Sequence, residues 1–209
     1  MPLGSPASGK GLDVSRGSLG DEGMRRLERY VHLVEQWAPK VNLVSLEDVP
    51  HFMTRHIHPA LALGPLLRAV PHRRILDVGS GSGLPGLPIA ISMPGSEVTL
   101  VESRRRRANF LRHVVRDLAL DNVKVVCSRV EDWEPPNFFD VIMSRAVTSP
   151  TALAALTSHC RSPAAFQLTT TGPRAAGGVA LVRSAILPLG TLTTSMSVVL
   201  AHPEILKLG

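Results

Sequence analysis

Three glycines follow directly on an apolar segment, where Arg74-Ile-Leu-Asp77-Val78 runs into Gly79-Ser-Gly81-Ser-Gly83-Leu84-Pro85-Gly86. Glycine lets the chain turn sharply and leaves bare backbone against which a ligand can lie. The N–H groups at the start of a following helix are unpaired and face that ligand. Pro85 suits a first helical turn, where its missing N–H is not needed. By itself, Gly81-Ser-Gly83-Leu-Pro-Gly86 also matches the dinucleotide pattern, so an NAD(P)-dependent oxidoreductase or a flavin enzyme stays open. Two features point elsewhere. Asp77 stands two residues before the first glycine, where it can brace the loop or face a cation, and the glycines begin one step earlier than a dinucleotide site needs. An acid ahead of G-x-G-x-G suits a ligand bearing an ammonium and a sulfonium. The expected cofactor is S-adenosyl-L-methionine.

Glu102 ends the next apolar run, about twenty residues beyond the loop, where a carboxylate can accept hydrogen bonds from ribose hydroxyls. A third run leads into Ser128-Arg129-Val130-Glu131-Asp132 and a fourth into Ser144-Arg145-Ala146. In an open parallel sheet, ligands lie beyond the carboxyl ends of the strands. Asp77, Gly79, Gly81 and Gly83, then Glu102, then Val130 and Glu131, then Arg145 all fall at such ends. The adenine is expected near Val130 and Glu131, where a backbone N–H and a carboxylate can read its edge.

The elements that must hold this rim alternate. Strands are predicted at Arg74–Val78, Glu97–Val101, Val123–Cys127 and Phe139–Met143. Helices are predicted from Gly86 to about Met93 and over Arg104–Leu118, with Arg107, Leu111, Val114, Val115 and Leu118 along one side. Another opens at Ser149 as N-cap with Pro150 in the first turn and runs to Leu156. Strands alternating with helices imply a doubly wound, mostly parallel α/β sheet of Rossmann-like type. Ahead of it, Leu27, Tyr30, Val31, Val34 and Trp37 recur at helical spacing up to Pro39, and Phe52 to Leu67 predicts short helices broken by Pro59 and Pro65. The expected organisation is a disordered tail over 1–20, a helical cap over 21–70 and the cofactor-binding core over 71–160. An atypical C-terminal part of the same domain then covers 161–209, with strands at Val179–Val182 and Val198–Ala201.

At 209 residues with 44% hydrophobic content the chain can bury a core, and its formal charge of +6 favours an anionic partner such as nucleic acid. Cys127 and Cys160 make no disulfide framework and no stretch approaches a membrane span. A reducing, cytoplasmic setting is expected. Arg104 to Arg107 places positive charge against a helix dipole, which suits a grip on phosphates as well as a solvated face. The histidines lack ligand spacing, so no metal is expected. Cys127 reads as a buried small residue, and Trp133 and Phe138 as core or rim.

Asp77-Val-Gly-Ser-Gly-Ser-Gly-Leu-Pro-Gly86, Ser128-Arg-Val-Glu131 and Ser144-Arg-Ala146 together resemble the bacterial 16S ribosomal RNA guanine-N7 methyltransferase family, once named glucose-inhibited division protein B. Trp37 with Asn42-Leu-Val-Ser45, then Arg55-His-Ile57, resemble its N-terminal helical segment. The resemblance covers roughly residues 24–150. It implies that Gly79, Leu84, Val130, Glu131 and Arg145 touch the cofactor or line its pocket, and that Arg129 and Arg145 help hold RNA. It further implies methyl transfer to guanine N7 in small-subunit RNA near the decoding region, by a monomer. Two stretches depart from the family. His58-Pro59-Ala60 follow Arg55-His-Ile57 where an Asp-Ser pair is common, and the family's late Lys-Gly is missing. A cofactor-binding relative without turnover therefore stands as a further alternative.

Overall fold

The computed structural model describes residues 16–145, 148–171, 183–187 and 196–201. Ile75 and Leu76, neighbours in one strand, are both fully buried, yet they belong to two separate apolar clusters. A strand covered on both faces lies inside a sheet with helices on either side. The same alternation recurs at Val141, Ile142 and Met143.

The chain enters through α1 (Arg16–Trp37), broken at Gly20, whose φ of 61° and ψ of 174° no helix contains. The first turn of α1 therefore occupies residues assigned to the tail, while residues 1–15 lie outside those described. Leu27, Tyr30, Leu33 and Val34 form the buried stripe of α1. A 3₁₀ turn (Val49–His51) and a π-helical turn (Met53–Ile57) lead into α2 (His58–Leu61) and α3 (Gly64–Arg68). Here the structure corrects the sequence reading: Pro59 and Pro65 do not break helices but sit in the opening turns of α2 and α3. A proline near a helix start loses no hydrogen bond, and the interruption falls instead at the turn through Ala62 and Leu63.

Then come β1 (Arg74–Val78), α4 (Gly86–Ser92), β2 (Glu97–Val101), α5 (Arg105–Asp117), β3 (Val123–Val126), β4 (Phe139–Arg145) and α6 (Pro150–Leu156). The Ser149 side chain accepts from Ala152 N–H, the expected N-cap. β5 (Arg161–Thr171), β6 (Arg183–Leu187) and β7 (Met196–Ala201) follow. The sheet order is β3-β2-β1-β4-β5-β7-β6. The first five strands in that order run parallel, and β7 is antiparallel to both its neighbours. β7 contains the strand expected at Val198–Ala201, whereas Val179–Val182 lies outside the described residues. This is the doubly wound α/β architecture that the alternating pattern implied.

One cluster unites α1 and the short helices with α4, α5 and one face of the sheet, through Tyr30, Phe52, Leu87, Phe110 and Val141 among others. The cap has no core of its own. Arg29 of α1 also grips Asp117 of α5 with two bonds of 2.8 and 2.9 Å, and Arg107 Nη2 donates to Asn42 O at 2.6 Å.

Candidate active site

Strand alternation puts Asp77 on the same face as Ile75, toward α4 and the cap, and it is completely buried. Its Oδ2 accepts from Gly86 N–H at 3.1 Å, so the carboxylate pins the first residue of α4 beneath the glycine turn. Its Oδ1 is buried without a hydrogen-bond partner. Burial pushes the Asp77 carboxyl up to about 7, against the pull of the Gly86 N–H, the nearby Ser80 hydroxyl and Arg145; that hydroxyl donates to Asp77 O at 2.9 Å rather than to the carboxylate.

The turn itself is built from Gly79, Gly81 and Gly83, all at positive φ. Gly83 (φ 101°) is required twice over, because a Cβ there would also run into the Leu87 side chain. The loop is tied on three sides. Gly79 N–H and Ser80 N–H donate to Val101 O at 2.8 and 3.1 Å, and Gly83 N–H donates to Ser80 O at 2.7 Å. Gly81 N–H donates to Glu102 Oε2 at 2.9 Å, and the Tyr30 hydroxyl of α1 donates to Ser82 O at 2.6 Å. The Leu84-Pro85 peptide is cis. Leu84, expected to line a pocket, packs its side chain into the core at 2% exposure and donates its N–H to Ser80 O at 3.0 Å, so it helps build the turn.

Glu102 is buried beside the loop. Its Oε1 accepts from Arg104 N–H at 2.8 Å, so the two oxygens brace the glycine turn and the approach to α5. Each carboxylate oxygen retains a second acceptor position, enough for a diol. On the neighbouring strand end Val130 is buried, and Glu131 lies 3.3 Å from Arg129 in an exposed ion pair. A bond to its own backbone N–H and the Arg129 guanidinium hold the Glu131 carboxyl below its ordinary range.

Arg145 closes the rim at the end of β4, beside Ser144, whose hydroxyl straps β4 to β1 by donating to Val78 O at 3.1 Å. Burial lowers the Arg145 pKa, while Tyr30, Asp77 and Asp48 favour its charge. Its Nη1 lies 3.0 Å from His56 Nδ1. Asp77, the glycines, Glu102, Val130, Glu131 and Arg145 thus stand at carboxyl ends of four adjacent strands. A cavity of about 280 Å³ opens at the opposite ends, between Arg74, Glu97, Lys124 and Trp133. Asp77 and Arg145, both buried and both shifted in ionisation, and the start of α4 lie at the carboxyl rim, where ligands of open parallel sheets bind.

Sequence reasoning passed over Tyr30, read only as an apolar position of α1, and over Asp48 and His56 beside Arg145. Only the Arg55-His-Ile57 segment hinted at the last. Cys127 needs correction: it is exposed, because β3 is the edge strand and ends one residue earlier. Arg107 is spent on Asn42, while Arg104, Arg105 and Arg106 face solvent. Phe138 is exposed and Trp133 packs against Phe139.

A family model described as rRNA small subunit methyltransferase G matches residues 23–198. The chain belongs to the rRNA small subunit methyltransferase G family. Ribosomal RNA small subunit methyltransferase G of Laribacter hongkongensis is 41% identical over 133 residues, spanning 64% of this chain and 63% of that protein. The Salmonella arizonae member is 40% identical over 152 residues, 72% of this chain and 70% of its own length. The chain thus aligns with a little under two thirds of the Laribacter relative. Among solved structures, a SAM-dependent methyltransferase from Aquifex aeolicus superposes with a TM-score of 0.54 at 16% identity, over 73% of this chain and 93% of that one. A putative methyltransferase from Escherichia coli gives 0.51 at 17% identity, over 69% and 83%. These structures share the fold of this family member. No helix among the described residues is long and apolar enough to cross a membrane.

Proposed function

We propose that this family member transfers a methyl group from S-adenosyl-L-methionine to N7 of a guanine in 16S ribosomal RNA near the decoding region, acting as a cytoplasmic monomer. The observation that carries the reading is the unpartnered, buried Asp77 Oδ1 beneath a glycine turn whose next strand runs out into Glu102. A carboxylate oxygen at that depth suits an ammonium or a sulfonium, and Glu102 suits ribose hydroxyls. Gly79, Gly81 and Gly83 leave the backbone bare for close approach, Leu84 lines the site through its backbone carbonyl, its N–H being held by Ser80 O, and Val130 and Glu131 flank the adenine.

When bound, the cofactor supplies a methyl group already activated on a sulfonium. Guanine N7 carries a free lone pair, so no proton has to leave before attack and no general base is required. The work of the protein is to align nitrogen, methyl carbon and sulfur, which is worth several kcal/mol of barrier in an oriented pair, roughly 7 or more at best. Arg145, buried at the rim, orients a phosphate or base edge rather than moving a proton. Arg129, exposed on the adjacent loop, adds a phosphate contact.

Calorimetry with S-adenosylhomocysteine and with NAD tests the cofactor. Binding of the first alone is expected, and tight NAD binding without a homocysteine signal sinks the reading. Labelled cofactor with undermethylated 30S subunits or 16S RNA tests turnover. Label in the RNA supports a working enzyme, whereas cofactor binding without transfer favours an inactive relative.

A further inference from the structure

The Arg145 guanidinium reaches from β4 to the cap and meets a single polar side-chain atom there, His56 Nδ1 at 3.0 Å. A guanidinium is only a donor, so the nitrogen it meets must carry a lone pair. Nδ1 is therefore unprotonated, and the remaining ring hydrogen sits on Nε2. Burial, followed by the positive charge of Arg145, lowers the His56 pKa and keeps the ring neutral. His56 Nε2 is buried without a hydrogen-bond partner, and the anion nearest to it is Asp48 Oδ2 at 3.8 Å. Asp48 is itself fixed: Arg55 Nη1 donates to Oδ1 at 2.8 Å and Ser45 Oγ donates to Oδ2 at 2.9 Å. The carboxylate thus faces the N–H side of the ring and selects the tautomer that leaves Nδ1 free to accept.

The backbone that presents His56 is unusual in the same sense. Residues Met53–Ile57 form a π-helical turn, closed by His58 N–H on Met53 O five residues back. Such widened turns recur at functional positions. Phe52 packs its ring against His56 at 5.4 Å between centroids, and Tyr30 packs edge-on against Phe52. The same Tyr30 holds the glycine turn.

We propose that His56 is a positioning residue for Arg145, accepting one guanidinium N–H so that the remaining N–H groups are held toward the rim. Asp48 sets the imidazole tautomer that makes this possible. The inference rests on the reading of Arg145 as a site residue, and it assigns His56 no contact with RNA or cofactor.

The test is a double-mutant cycle on the full chain, with methyl transfer to undermethylated 30S subunits as the readout. His56→Phe keeps the ring volume but offers no acceptor. It should lower kcat/KM about tenfold or more, while the His56→Phe, Arg145→Ala double variant should be no worse than Arg145→Ala alone. Asn and Gln supply a comparison that does not depend on Phe being tolerated. His56→Asn puts an oxygen near the Nδ1 position and should recover most of the activity; His56→Gln puts it near Nε2 and should not. Equal activities of the Asn and Gln variants would overturn the proposal, as would additive losses in the cycle. If His56→Phe turns over normally while Arg145→Ala is impaired, the positioning role alone fails. Normal turnover by Arg145→Ala would instead refute the site reading of Arg145, and His56 would fall with it.

Discussion

The Tyr30 hydroxyl donates to the carbonyl oxygen of Ser82 at 2.6 Å, which ties the first helix of the cap to the middle of the glycine turn. Both partners are buried, and removing one leaves the other unsatisfied. Tyr30→Phe should therefore destabilise the protein by roughly 1–2 kcal/mol. It should also weaken S-adenosylhomocysteine binding, because the turn loses one of its ties. Denaturant unfolding and calorimetry on the same variant check the two effects, and an unchanged affinity would mean that the remaining ties suffice to hold the turn.

Asp77 makes both stability and cofactor binding depend on pH. Its carboxyl is raised from 3.8 to about 7 in the fold. A raised folded value means that the native state holds the proton more tightly. The associated stability is fully present below the unfolded value and is lost as pH rises through about 7. Asp77→Asn, which keeps an oxygen for Gly86 N–H, should therefore melt higher than the parent protein at mildly alkaline pH when no ligand is bound. Cofactor affinity should run the other way. A cationic ligand needs the ionised acid, so affinity should rise between about pH 5.5 and about pH 7.5, by up to roughly tenfold per unit. The Asn variant should lose that slope, which isothermal titrations at several pH values would measure.

Gly86 is packed too tightly to carry a side chain. An added Cβ would collide with Leu100 Cδ2 and sit 2.7 Å from Asp77 Oδ2. Gly86→Ala should cost about 1–3 kcal/mol through overpacking, and it should push Asp77 away from the start of α4. Thermal unfolding checks the first outcome and cofactor titration the second.

Glu102 accepts one backbone N–H on each oxygen, from Gly81 and Arg104. An amide offers only one acceptor atom, so Glu102→Gln must abandon one of them and place an NH₂ against a donor. We expect cofactor affinity to fall about tenfold or more, with adenosine competing less well in parallel, since the ribose-facing carboxylate is the group altered. Competition binding with adenosine measures this.

The rim was legible in the sequence because its determinants are local. Asp77 and the glycines read as one turn, β1 to β4 as short β-rich runs, and Ser149-Pro150 as a helix start. β5 was not legible, and Pro163 is the reason: a proline argues against a central strand. In the structure the β4–β5 register runs from Phe139 opposite Arg161 to Val141 opposite Phe166. The extra residues of β5, Pro163 among them, are taken up in that irregularity. The partners of Arg145 were hidden for a different reason. Asp48 and His56 acquire meaning only when the cap folds over β4, a contact 89 residues apart along the chain.

The single apolar cluster shared by the cap and the sheet limits how this family member can be remodelled. Tyr30, Leu33, Phe52 and Ile57 are at once cap residues and part of the foundation of the sheet. A cap exchanged for that of another protein of this fold would have to bring a matching inner surface, or the glycine turn would lose its support. Freedom to vary belongs to the outer side of α1, at exposed positions such as His32, Glu35 and Gln36. Redesign of the cap therefore starts from that solvent-facing stripe, with the inner stripe carried over unchanged.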